Sequence, residues 1–541
     1  MKILLIIIYS TIISGCGTIP TPQLSAEDRK RDIEFLAEWA RDYSPLVGLA
    51  EKHKSYPSYE ALLPKYINYA EQAQSNEEFY QVVRGYYDLI FSAGHHGLIR
   101  EKTLKLGQLG ILLGVIDLDI SPFTADKACY WSRLAKGNLT VRAYPPFQIL
   151  YEDDKYITTD DWKEDGFTVP KGSKIIKVNG MNCTEYLNYI RENTSLKYDA
   201  FSKDWIKKYL LIIYEGDDFK GWQVDFLLPD SSIHSAFVPM IRIYILPLTM
   251  IRERTPLIPK IKVSHTPKEK AIHHIKPKEN CTCIELTDEI AYIRIRSMMP
   301  GGLWNLIFHS GYKNDGKIIK SFLKSSNGKY SKLIIDIRGN QGGVPYYFYE
   351  NLIRPFMDKP VTYEQVAGMR RKYRNNLKPS VLKTLRKWCS SKKEHVVNIE
   401  EVDAPLGFES TEWVFYRIIR RIEPRNRYDF DGSLYILVDS RTFSAADDYA
   451  NAIKRIGLAK LVGRNTSGGS SAYIGSPVIR LPASGMILRV ETEIVINPEG
   501  SINELFGTPP DVELPPANPP KSITREELLK DEWIKYIIHE I

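Results

Sequence analysis

The sequence predicts a mixed α/β fold carrying a helical cap at its N-terminal end. Two observations lead there. From Ile284 onward, short apolar strands alternate with helical stretches, as in a sheet flanked by helices. From Ala26 to Leu89, apolar residues recur at spacings of three and four, as on amphipathic helices. At 541 residues the chain calls for two or three domains. With 43% hydrophobic and 26% charged residues, the composition is that of a globular protein. A net charge of +7 is small for the length, and the Lys-rich stretch Lys260–Lys278 lacks interleaved aromatic residues. No nucleic-acid partner is therefore expected.

At the N-terminus, Lys2 is followed by an apolar run, Ile3–Ile8 and Ile12–Ile13, and then by Ser14-Gly15-Cys16. The run is too short for a good membrane span, and charge before apolar core is the order of a secretory signal. Ile13-Ser14-Gly15-Cys16 resembles the bacterial lipobox, which implies lipidation of Cys16 after removal of the segment before it. Residues 1–16 are thus expected to be a lipoprotein signal, and 17–30 a tether. Gly17, where Asp is the alternative, favours the outer membrane by analogy. No later segment is apolar enough to span. The remaining cysteines, Cys129, Cys183, Cys281, Cys283 and Cys389, are odd in number and scattered, so no disulfide framework is expected. Cys281-Thr282-Cys283 is spaced too tightly for a zinc knuckle, and neither a metal site nor a cofactor is expected.

Residues 31–140 read as the cap. Phe35, Leu36, Trp39 and Ala40 mark one helix; Tyr59, Leu62, Leu63, Tyr66 and Ile67 a second; Phe79, Tyr80, Val83, Tyr86 and Tyr87 a third. Gly94-His95-His96-Gly97 breaks the last of them, and a strand-rich stretch around Gly110–Asp117 follows. Residues 141–240 read as a unit of their own. Within it Gly172-Ser173-Lys174-Ile175-Ile176-Lys177-Val178-Asn179-Gly180, followed by a helix near Thr184–Ile190, resembles the middle of a PDZ domain. That resemblance implies a groove accepting an extended peptide as an added strand. Residues 284–520 form the α/β part, with strands at Ile290–Ile295, Lys332–Ile337, Leu434–Val438 and Leu461–Gly463. Helices are expected at Lys317–Leu323, Tyr346–Ile353 and Ala445–Ile456, with a C-terminal helix in 521–541.

The chemistry concentrates at three segments. In Leu434–Ala450 an apolar strand runs through a short turn, and Ser444 opens a helix. A helix N-terminus offers unpaired N–H groups and positive partial charge, which suit a nucleophile and its anionic intermediate. On this segment alone Ser444 could equally be a helix cap. Asp336-Ile337-Arg338-Gly339-Asn340-Gln341-Gly342-Gly343 closes a buried strand with N–H groups able to form an oxyanion hole. Val462-Gly463-Arg464-Asn465-Thr466-Ser467-Gly468-Gly469 is a second Gly-rich turn.

Together with Glu504–Val512, these segments resemble, in order, the motifs of the C-terminal processing and tricorn-core serine peptidases. Those motifs are Asp-x-Arg-x-Asn-x-Gly-Gly, a Ser-Ala-Ser-Glu-type nucleophile turn, Val-Gly-x-x-Thr-x-Gly and Glu-Gly-x-Gly-x-x-Pro-Asp. The resemblance implies a ClpP/crotonase-like catalytic domain with a mixed sheet. It puts the nucleophile at Ser444 and the oxyanion hole at the N–H of Ala445 with one from Gly342 or Gly343. Gly469, 25 residues past Ser444, stands where one branch of the family has its general-base lysine. The tricorn-like branch uses an upstream histidine, which falls on His95, with His96 the alternative; its supporting carboxylate falls on Glu504. Asp336 and Arg338 are expected to pair structurally. The function implied is an exported, lipid-anchored peptidase acting on peptide or protein substrates. A catalytically inactive peptide-binding member is the alternative, kept open by the missing lysine and by Phe443 in the nucleophile turn; an esterase role rests only on the anchor.

Overall fold

A computed structural model describes residues 21–47, 58–90, 94–95, 97–98, 125–137, 141–186, 221–244, 280–299, 310–377, 396–470, 478–515 and 522–540, with breaks of one or two residues inside some stretches. Cys16, His96, Gly110–Asp117, Cys389 and the Lys-rich stretch, all named above, lie outside them.

The cap is built on helices α1 (Ala26–Tyr43), α2 (Tyr59–Gln72) and α3 (Asn76–Ile90), the three that the spacing predicts. Ser25 and Asp28 close a reciprocal capping box at the start of α1, satisfying two otherwise orphaned N–H groups. The apolar stripes of the helices do not meet only each other. Leu36, Tyr66, Val83 and Tyr86 share one core with Ile479, Leu481, Met486, Leu488 and Val490, which come from the far end of the chain. A further helix, α4 (Ala125–Gly137), sends Trp131 into this core, and its indole N–H donates to the Ser484 carbonyl at 2.9 Å. On α1, the fully buried Asp32 accepts N–H bonds from Ala483 at 2.8 Å and Ser484 at 2.9 Å. Gly97–Leu98 then pairs antiparallel with Leu488–Arg489. The cap and the hairpin Val478–Arg489 therefore pack as one body.

In the middle unit, five antiparallel strands lie in the order Ile233–Pro239, Gly221–Leu227, Lys174–Val178, Lys155–Thr158 and Ile149–Glu152. Asn179 (φ 49°) and Gly180 (φ 82°) form the tight turn to Met181–Asn182, the left-handed pair that a two-residue hairpin requires. Trp222, Val224, Phe226, Ile175 and Val178 fill its core. Cys183–Tyr186 is helical; the rest of that expected helix is not among the described residues. A ribbon of Val141–Tyr144 against Ile241–Tyr244 joins the two ends of the unit.

The α/β unit is organised by a six-stranded sheet: β1 (Cys281–Glu285), β2 (Ile290–Ile295), β3 (Lys332–Asp336), β4 (Ser433–Val438), β5 (Lys460–Gly463) and β6 (Val512–Glu513), side by side in that order. Only β1 runs antiparallel. Alternation along each strand splits the sheet's two faces. Leu333, Ile335, Ile436 and Val438 pack with α5 (Ser310–Ser325) and α6 (Ala445–Ile456). Ile334, Tyr435 and Leu437 pack with Trp533, Ile534 and Ile537 of α7 (Glu532–His539). A second, antiparallel sheet contains Val396–Val402, Trp413–Ile422, Val361–Arg370 and Ile494–Ile496. The expected helix at Tyr346–Ile353 is instead one α-turn (Pro345–Phe348), a π-turn (Tyr349–Ile353) and a 3-10 turn (Arg354–Phe356). Pro355, which lacks an N–H, fixes its end.

Because Asp32 satisfies two backbone donors of the hairpin turn, Asp32→Ala is expected to destabilise the protein by about 2–4 kcal/mol through two orphaned N–H groups. Chemical denaturation checks this; an unchanged midpoint would show that the cap docks without it.

Candidate active site

Ser444 sits between β4 and α6 with φ 58° and ψ −130°, a conformation rare for any residue but glycine. Holding it there costs on the order of 1–3 kcal/mol, which the surrounding hydrogen bonds offset. Phe443 N–H donates to Asn340 O at 3.0 Å, Ser444 N–H to Gly468 O at 3.0 Å and Ser467 N–H to Thr442 O at 2.8 Å. Both Gly-rich turns thus grip the nucleophile turn from either side. The Ser444 hydroxyl makes no capping bond to the helix. Its Oγ lies 2.7 Å from Nε2 of His95, across 349 residues of sequence.

The carboxylate partner of His95 is not the expected Glu504 but Glu491. Glu491 Oε2 accepts the His95 backbone N–H at 2.9 Å and lies 3.3 Å from Nδ1 of the same residue. Burial pushes this carboxyl up, but the hydrogen bonds and charge of His95, with the charge of Arg489, hold it below the ordinary glutamate value. Glu491 belongs to a buried run, Glu491-Thr492-Glu493, that crosses between Ile487–Arg489 and Ile494–Ile496. Acidic residues inside an otherwise apolar stretch were the available sequence signal. Glu504 instead accepts Val495 N–H at 2.8 Å through Oε2, and Oε1 has no hydrogen-bond partner among the described residues. Burial and the negative charge of Glu491 push its carboxyl well above the ordinary range, the opposite direction to Glu491.

The turn after β3 closes over the same point. A Cβ on Gly342 (φ 84°) would lie 2.6 Å from Ala445 N and 2.8 Å from Ser444 Cβ, so only glycine fits. Of the two glycines expected to supply an oxyanion donor, Gly342 has its N–H engaged by Asn340 Oδ1 at 2.8 Å. The N–H groups of Gly343 and of Ala445, the first residue of α6, donate to no group among the described residues. Asp336 and Arg338 pair as expected, at 2.8 Å and fully buried. Burial would raise the Asp336 carboxyl, but Arg294 and Arg338 hold it well below the usual range. Arg338 also reaches Asp531, the cap of α7, at 2.8 Å.

Asp447, one turn into α6, accepts the hydroxyls of Ser470 at 2.6 Å, Thr508 at 2.7 Å and Thr466. It ties the second Gly-rich turn to the Gly507–Thr508 segment. At position 469 the missing side chain is accounted for as well: a Cβ there would lie 2.6 Å from Cε2 of Phe443. Among the described residues no cluster of His, Cys, Asp and Glu could hold a metal ion, and no helix is long and apolar enough to cross a membrane.

An alcohol on an imidazole, an imidazole on a buried carboxylate and free N–H groups beside the alcohol are the working parts of a serine hydrolase. Residues 289–514 match the family model described as peptidase family S41. Over that stretch, which contains Ser444, both Gly-rich turns and Glu491, the chain is similar to serine-type peptidases. No relative was found among curated proteins. Among solved structures, mature CPAF complexed with lactacystin matches at 14% identity and a TM-score of 0.50, over 95% of this chain and 97% of that one, and shares the fold. The photosystem II D1 C-terminal processing protease (13% identity, TM-score 0.37, 94% and 98% covered) is also similar. So is the tricorn protease (14% identity, TM-score 0.32), of which 36% is covered, against 95% of this chain.

Glu491→Gln is expected to slow reaction of Ser444 with a fluorophosphonate by about 10²–10⁴-fold, because the imidazole loses the partner that fixes its tautomer. Glu504→Gln should cost less than about tenfold; the reverse order would return the supporting role to Glu504. A folded pKa above the unfolded value, about 4.3 for glutamate, gives Glu504 a stabilising contribution present below that value and lost as pH rises toward the folded one. The melting temperature of Glu504→Gln relative to the wild type should therefore climb as pH rises above about 4.3. A gap independent of pH would mean that Glu504 titrates alike in both states.

Proposed function

We propose that this chain hydrolyses peptide bonds in peptide or protein substrates through an acyl-enzyme at Ser444, with His95 as general base. The observation that carries this reading is the 2.7 Å contact between His95 Nε2 and Ser444 Oγ, made by a serine whose hydroxyl does not cap its helix. His95 Nε2 takes the hydroxyl proton as Oγ attacks the carbonyl carbon. Nδ1–H donates to Glu491, whose negative charge stabilises the imidazolium that forms. The tetrahedral oxyanion accepts from the N–H groups of Ala445 and Gly343, with the α6 dipole adding positive potential. The imidazolium then protonates the leaving amine, and a water deprotonated by His95 releases the acyl group.

The PDZ-like reading of residues 141–240 gives that unit the role of holding an extended peptide chain near the site. The N-terminal segment supports export and a lipid anchor at Cys16: one charged residue, a short apolar run and Ser14-Gly15-Cys16. Together these readings describe a cell-envelope peptidase tethered to a membrane surface, with Gly17 favouring the outer membrane.

Fluorophosphonate labelling tests the chemistry. The wild type is expected to label, and Ser444→Ala and His95→Ala to lose labelling while melting cooperatively; a well-folded wild type that does not label refutes the mechanism. Metabolic incorporation of a labelled fatty acid, abolished by Cys16→Ala, tests the anchor.

A further inference from the structure

Two departures from the family pattern sit against each other. Phe443 directly precedes the nucleophile, and its ring centroid lies 4.9 Å from that of His95, the planes tilted by 47°. Gly469 is the position without a side chain, and a Cβ there would come within 2.6 Å of Phe443 Cε2 and 2.9 Å of Cζ. The ring therefore fills the space that any side chain at 469 would enter. Its backbone is fixed through the bond from Phe443 N–H to Asn340 O. His95 lies between α3 and Gly97–Leu98, its backbone N–H held by Glu491 Oε2 at 2.9 Å. Its Nδ1 contact to Glu491, at 3.3 Å, is a long one. The two contacts through the ring nitrogens restrain the imidazole at its ends and leave the tilt of its plane to its neighbours. The Phe443 ring is packed beside that plane.

We infer that Phe443 is a positioning residue that holds the His95 imidazole in line with Ser444 Oγ, and that Gly469 is small so that Phe443 can do so. The inference rests on His95 being the base proposed above. Loss of the ring leaves Ser444, Glu491 and the oxyanion donors in place but lets the imidazole leave its line of attack. Misplacement on the ångström scale costs as much as about 100-fold in rate.

The test uses the full chain and one fluorophosphonate probe, with the concentration dependence of inactivation separating its limiting rate from its half-saturating concentration. Phe443→Ala is expected to lower the limiting rate by about 10- to 100-fold and to leave half-saturation within about twofold. Phe443→Tyr, which keeps the ring, should recover most of the rate. In a His95→Ala background, Phe443→Ala should cause no further loss, because the ring acts only through the imidazole. An equal loss in both backgrounds, a shift confined to half-saturation, or an unchanged rate would each overturn the inference. If Phe443→Ala fails to melt cooperatively, Phe443→Leu, which keeps bulk without the ring, is judged by the same criteria. Full labelling of His95→Ala would instead refute the base assignment itself, whatever Phe443 does.

Discussion

His95 is bound to Glu491 through two of its own groups, the backbone N–H and Nδ1, and both go to the same carboxylate oxygen. That doubled contact fixes where the residue sits. What makes it possible is the pairing of Gly97–Leu98 with Leu488–Arg489, which brings the cap segment to within two residues of Glu491. The shared cap core and the Asp32 bonds to Ala483 and Ser484 hold that pairing in turn. The cap is thus part of the active-site scaffold as much as the strands beneath Ser444.

Opposite the cap, the nucleophile turn is held by buried charge. Arg338 lies between Asp336 and Asp531 and stacks on the Trp533 ring, 5.2 Å from its centroid. Buried ions are stable only when their partners are complete, so the end of β3 and the start of α7 stand or fall together. Asp336 continues directly into the turn carrying Gly342 and Gly343. The C-terminal helix therefore supports the turn that carries Gly342 and Gly343.

Elements governed by local pattern were legible in the sequence. The strands beneath the site, helix α6 from Ala445 to Ile456, and the Asp336–Arg338 pair all follow from nearby residues and their periodicity. Ser444 and the two Gly-rich turns were legible for the same reason: each needs a particular backbone shape, which constrains its own residues. The carboxylate was not. Glu491 and Glu504 are both buried acids on one stretch of chain, and only the pairing with Gly97–Leu98, formed across hundreds of residues, decides which one meets His95. Likewise, Gly342 and Gly343 are indistinguishable as letters, and it is the Asn340 side chain that occupies the N–H of the first. Phe443 looked like a defect in the nucleophile turn. Beside Gly469 it is a complementary fit, visible only when both positions are seen in space.

The 349 residues that separate His95 from Ser444 also bear on the life of the chain before it is finished. Synthesis delivers the proposed base early, the proposed nucleophile late, and the carboxylate behind the imidazole later still. Contacts of such long sequence separation close only after most of the fold is in place. Under the mechanism proposed above, an incomplete or half-folded chain carries an alcohol without the imidazole that would activate it, and the site is complete only when the fold is.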